Sequence, residues 1–188
     1  MQRVTRAALG LAAALAGAGA GACASSKPDP TALAIIEPKS GSSVTGKVVF
    51  TQLPSGETKA EAWIQNATPG KHGFHIHEKG DCSAADATSA GGHFNAAGNP
   101  HASPTDAAHH NGDFGNIEIG ADGKGHMEIK TNMLTILPGP NSVVGKSVIF
   151  HEKEDDLKTQ PTGNAGARFG CGVVIETPTG GASEIKVR

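Results

Sequence analysis

Nine histidines are spread over the 188 residues, and their spacing gives the sharpest chemical signal. In His75-Ile76-His77 two imidazoles stand at i and i+2. On a strand those positions face one side, so both rings can reach a single metal ion. His93, His101, His110 and Asp113 follow, with gaps of 8, 9 and 3. Three neutral nitrogens and a carboxylate make a complete tetrahedral zinc shell; four protein ligands leave no place for a substrate, so this set reads as structural. His151 closes the apolar run Ser147-Val148-Ile149-Phe150. With His75, His77 and one histidine from the long loop it would complete an all-imidazole site, which in a roughly square arrangement suits Cu(II). A polar loop can hold any one of these histidines by chance, but not the whole set in ligand order.

Such a site needs strands to hold it and loops to close over it. Gly (26) and Pro (11) punctuate short runs rich in Val, Ile, Thr and Phe, the pattern of an all-β chain. The runs are Leu33 to Glu37, Val44 to Gln52, Lys59 to Gln65, Phe74 to Glu78, Asn116 to Ile119, His126 to Thr131, Val143 to His151 and Gly172 to Glu176. PSG at 54–56 and ADGKG at 121–125 fit hairpin turns. Two stretches break the rhythm: Gly80 to Phe114, and Lys153 to Phe169, where one turn of helix is expected near Asp155. Long loops of this kind are functional or disordered. These two hold most of the His, Asp, Arg and Cys residues, which argues for function.

The N-terminus reads as an export signal. Met1 to Arg6 carries two arginines and no acid, Ala7 to Ala22 contains only Ala, Gly and Leu, and small residues end the stretch. That apolar stretch is short for a membrane span. Cleavage after Ala20-Gly21-Ala22 by an ordinary signal peptidase is one reading. The other, favoured here, is a lipobox whose Cys23 receives lipid, because three cysteines leave an odd thiol to account for. The expected layout is then a signal at 1–22, a flexible tether at 23–32, one domain at 33–176 and a C-terminal tail at 177–188 without an assigned role. Removing the signal leaves 14 basic against 18 acidic residues, a net charge of −4. No basic run is interleaved with aromatics, so nucleic acid is not an expected partner.

Five segments then carry a resemblance: HGFHIHEKGDC (72–82), SAGGHFN (89–95), HHNGDFGN (109–116), VIFHEKEDD (148–156) and TGNAGARFGCGVV (162–174). In their order and rough spacing they resemble copper/zinc superoxide dismutase, from about Val44 to Ile175, and the exported bacterial type in particular. The resemblance implies an all-β, eight-stranded antiparallel Greek-key barrel or sandwich with two long functional loops. It implies copper on His75, His77, His93 and His151, and zinc on His93, His101, His110 and Asp113, with His93 bridging the two metals. It implies a disulfide between Cys82 and Cys171, Arg168 over the copper to orient superoxide, and Asp155 joining His75 and His101 by hydrogen bonds. His72, His109 and His126 receive no metal. The animal charge cluster that steers substrate is missing from the short 157–162 segment, leaving Lys79, Lys153 and Lys158 as candidates. The expected activity is dismutation of superoxide in the periplasm or cell envelope, by a lipid-anchored or soluble protein, monomeric or homodimeric. A copper store and a metal-free scaffold are the readings from other classes. The complete ligand set speaks against both.

Overall fold

The computed structural model describes residues 29–178. The signal, Cys23 and most of the C-terminal tail lie outside the described residues. Nine strands are present: β1 (Thr31–Pro38), β2 (Thr45–Gln52), β3 (Thr58–Gln65), β4 (Gly70–His77), β5 (Asp113–Ile119), β6 (Gly125–Thr131), β7 (Ser147–His151), β8 (Arg168–Val173) and β9 (Ile175–Thr177). They form one sheet in the order β2-β3-β6-β5-β4-β7-β8-β1-β9, and β1 also pairs with β2. That pairing closes eight strands into an antiparallel barrel, with β9 added alongside Thr31–Leu33 of β1. The neighbours β3–β6 and β4–β7 are not sequential, which is the Greek-key crossover. The two expected hairpin turns join β2 to β3 and β5 to β6.

All eight expected runs appear, with shifted ends. β1 starts at Thr31, inside the stretch read as tether, and β7 starts at Ser147 rather than Val143. The last run divides in two: Val174 falls between β8 and β9. The expected turn of helix near Asp155 does not form. Asp156 accepts the amides of Lys158 and Thr159, as a helix cap would, but Leu157 has φ 62 and Asn164 φ 55. Left-handed residues cannot propagate a right-handed turn. Among the described residues the one helical element is a 3-10 turn at Thr88–Ala90.

Strand alternation explains where the site sits. Phe74 and Ile76 of β4, with Val148 and Phe150 of β7, enter the barrel core beside Phe50, Ile64 and Ile117. Their alternates His75, His77, Ile149 and His151 must then face outward. All four are nonetheless buried, because the segments 78–112 and 152–167 lie across them, Asp155 meeting His75 and Gly166 meeting His151. A second small apolar cluster of Ala87, Ala90, Ile149 and Cys171 fastens the 78–112 loop to the outer wall of the barrel.

Candidate metal centre

Two groups of side chains converge under the loop. His75, His77, His93 and His151 form one, and His93, His101, His110 and Asp113 the other; within each group the ligand atoms all lie within 4.8 Å of one another, and every residue is buried. His93 belongs to both. These are the two sets expected from the sequence, while His72, His109 and His126 stay outside them. His72 sits between the carbonyls of Thr68 and His151, each at 2.9 Å. His126 is exposed and pairs with Glu61.

In the first group four buried ring nitrogens have no hydrogen-bond partner: Nδ1 of His75 and Nε2 of His77, His93 and His151. Buried polar atoms are normally satisfied, so four orphans pointing together mark a place for a cation. The opposite nitrogens of three of these rings are all engaged. His75 Nε2–H donates to Asp155 at 2.7 Å, His77 Nδ1–H to the Gly91 carbonyl at 2.9 Å, and His151 Nδ1–H to the Gly166 carbonyl at 3.3 Å. Each bond puts the proton on the far nitrogen and turns a lone pair inward. Burial pushes the pKa of His75 down to about 4, against the pull of Asp155. Burial, then neighbouring histidines, hold His77 and His151 well below the usual range, and the Arg168 charge adds to it. Three of the four imidazoles of this half are thereby held neutral. The half fits a copper ion.

The second group is built around a carboxylate. Asp113 Oδ1 accepts His93 Nδ1–H at 2.8 Å and His101 Nδ1–H at 2.9 Å, with His110 Nδ1 at 3.4 Å. Its other oxygen accepts the backbone amides of Ala102 and His110. Burial opposes a charge on Asp113, but the bonds from His101 and His93 outweigh it and keep the carboxyl far below its ordinary value. Burial likewise opposes protonation of His101, yet Asp113 and Asp155 together raise its pKa to about 9. Three Nδ1 atoms and one carboxylate oxygen meeting at a point fit a tetrahedral zinc ion.

Asp155 links the halves. Its Oδ2 takes His75 Nε2–H at 2.7 Å and its Oδ1 takes His101 Nε2–H at 3.0 Å. Gly163, at φ 70, leaves room for this: a Cβ there would lie 1.8 Å from Asp155 Oδ1 and 2.7 Å from His101 Nε2. Arg168 opens β8 and pairs in register with His151. Its two terminal guanidinium nitrogens donate to the Ala87 and Gly91 carbonyls, both at 2.7 Å. The Cys82–Cys171 disulfide, Cα–Cα 5.8 Å, pins the same loop to β8. Closing a loop across that 89-residue separation is worth roughly 4–5 kcal/mol in loop entropy.

Sequence reasoning missed the backbone acceptors. The Gly91 carbonyl serves both His77 and Arg168. A carbonyl leaves no mark in a sequence. The one trace is the glycine itself, at φ 75 with the Glu78 carboxylate 2.4 Å from where a Cβ would stand.

The Copper/zinc superoxide dismutase (SODC) family profile matches residues 44–174. The "Superoxide dismutase [Cu-Zn]" of Onchocerca volvulus is 41% identical over 153 residues, 76% of this chain and 94% of that protein. The "Extracellular superoxide dismutase [Cu-Zn]" of Brugia pahangi is 40% identical over 153 residues, 77% of this chain and 75% of that protein. Among solved structures, the crystal structure of the clock protein EA4 superposes with a TM-score of 0.72 at 33% identity, covering 80% of this chain and 96% of that one.

Proposed function

The chain belongs to the copper/zinc superoxide dismutase family, and from that premise we propose which of its residues carry the reaction. The protein is an oxidoreductase whose cofactors are copper and zinc, and whose substrate is superoxide; two superoxide anions and two protons become dioxygen and hydrogen peroxide. Nδ1 of His75 and Nε2 of His77, His93 and His151 would hold copper. Nδ1 of His93, His101 and His110, with the Asp113 carboxylate, would hold zinc. The four unpartnered buried nitrogens are the observation that carries this reading.

Copper, when bound, supplies the alternating one-electron oxidation and reduction of the two anions. The chain does the rest. Arg168, anchored on two carbonyls, is a fixed positive charge beside His77 and His151 that binds and orients the small anion. His93 has one ring nitrogen in each cluster. Its Nε2, when not occupied by copper, would be the atom placed to take up a proton and pass it to the departing peroxide. Asp155 fixes the rings of His75 and His101, and so couples the two halves. The net negative chain gains from local positive charge on the approach, for which Lys79, Lys153 and Lys158 are the candidates.

The expected setting is outside the cytoplasm, in the periplasm or cell envelope, with Cys23 lipidated after removal of residues 1–22. The Cys82–Cys171 bond, which persists in oxidising compartments, and the extracellular naming of the Brugia pahangi relative support it. Mass spectrometry of the mature N-terminus tests it: a lipid-bearing Cys23 is expected, and an unlipidated Cys23 or a free Ala24 or Ser25 overturns anchoring.

Pulse radiolysis of the copper- and zinc-loaded protein beside a His151→Ala variant tests the catalytic assignment. Fast decay of superoxide that the variant loses is the expected result. Slow decay with one copper and one zinc bound per chain would instead favour metal storage.

A further inference from the structure

The turn between β1 and β2 supplies no metal ligand, yet it is tied to both walls around Arg168. On the β8 side the Lys39 amide donates to the Phe169 carbonyl at 2.9 Å, and the Ser42 hydroxyl donates to that carbonyl as well. The Ser40 hydroxyl donates to the carbonyl of Arg168 itself at 2.9 Å. On the loop side the Ser40 amide donates to the Ala85 carbonyl at 2.8 Å, and Lys39 Nζ donates to the Cys82 carbonyl. Arg168 closes the circuit, since its guanidinium grips Ala87 and Gly91 of the same loop. The turn therefore holds the main chain of Arg168 and also the segment that the Arg168 side chain holds.

The backbone at Ser40 sharpens the point. Its φ is 53, in the left-handed region, and Gly41 follows at φ 74. A non-glycine residue in that region is disfavoured by roughly 1–2 kcal/mol, so glycine would be the easier choice at position 40. What serine adds is a hydroxyl, and that hydroxyl is on the Arg168 carbonyl. The bond is exposed, so it contributes little to stability. Its consequence is geometric, because a misplacement of even about 1 Å at a reacting centre can lower rate by roughly two orders of magnitude.

Resting on the assignment of Arg168 as the anion-orienting group, we propose that Ser40 and Lys39 are positioning residues for it, which makes the β1–β2 turn an outer support of the superoxide site. They act through Arg168 and touch neither metal nor substrate.

The test uses azide, a small anion of the same charge as superoxide, titrated against the visible spectrum of the copper- and zinc-loaded protein. Ser40→Ala and Lys39→Met should each weaken azide binding by about three- to tenfold, the range of one lost hydrogen bond, while the azide-free spectrum and Tm stay as in the parent. Lys39→Arg should restore most of the loss. Phenylglyoxal labelling of Arg168 in the metal-free protein, read by mass spectrometry, gives a second view; Ser40→Ala should quicken it. Arg168→Ala is the control. If Arg168→Ala weakens azide binding but both turn variants bind azide and label at the parental rate, the positioning role is overturned. If Arg168→Ala itself leaves azide binding unchanged, the assignment of Arg168 fails first.

Discussion

The two halves of the metal centre share His93 and lie under one loop, yet they are built on opposite plans. The copper half draws three of its four rings from strands β4 and β7, and contains no anion; its inward nitrogens are unpartnered, and burial holds His75, His77 and His151 neutral. The zinc half draws on the long loop and the first residue of β5, and is organised by the Asp113 carboxylate, whose histidines bond to it directly. The difference teaches a division of labour. Neutral ligands on rigid strands need only a hydrogen bond to each far nitrogen, from Asp155, Gly91 and Gly166, to hold their rings in place. A loop needs an internal counter-charge to hold its shape.

The largest test removes one ligand from each half. Changing a group that merely orients a metal ligand typically lowers metal affinity or activity by about 10–100-fold, so losing a ligand should exceed the upper figure. His151→Ala should therefore lower turnover by more than about 100-fold while the protein still takes up one zinc, checked by elemental analysis. Asp113→Ala should do the reverse. Zinc uptake is lost and copper is retained on the strand ligands, with activity falling because the loop no longer fixes His93. If His151→Ala loses zinc as readily as copper, the halves are not separable in this way.

Asp155→Asn probes the link. An amide can accept from only one of the two rings, so either His75 or His101 loses its partner. Copper and zinc affinities should both fall, by roughly 10–100-fold, measured by competition with a chelator. A fall in one alone would show that Asp155 serves a single half.

How much of this was legible in the sequence follows from the same contrast. His75 and His77 could be paired because strand alternation is a local rule, and the spacing of His93, His101, His110 and Asp113 gave a complete donor set before any fold was known. The strand runs were legible for the same reason. What escaped was set by tertiary contact. The outer cluster of Ala87, Ala90, Ile149 and Cys171 joins residues far apart in the chain and has no period to detect. The carbonyls of Gly91, Ala87 and Gly166 orient His77, Arg168 and His151 without any side chain of their own. The helical turn expected near Asp155 failed because capping by Asp156 is local, whereas the left-handed turn at Leu157 is dictated by Asp155, whose Oδ1 takes both the Leu157 amide and His101.

The smallest effect is the pH dependence of the metal-free protein, in which His101 stands against other buried ligands. Burial lowers His75 to about 4 in the folded state, against an ordinary value of 6.5, and it depresses His77, His151 and, in the zinc half, His110 too. The unfolded chain then binds these protons more readily. Stability is complete above pH 6.5 and falls as pH drops through 6 and 5 toward 4. His101 behaves oppositely. Its folded pKa of about 9 lies above 6.5, so its contribution is present below pH 6.5 and is lost as pH rises through 9. These opposite shifts therefore place a maximum in Tm near pH 6.5, with shoulders of several degrees, read by calorimetry from pH 4.5 to 9.5. His101→Gln should flatten the alkaline shoulder alone. Zinc replaces the proton on the His101 nitrogen that faces Asp113, so zinc should remove the alkaline shoulder, and because its histidine ligands must be unprotonated it should steepen the acid one. An alkaline shoulder that survives zinc would mean that it does not come from His101.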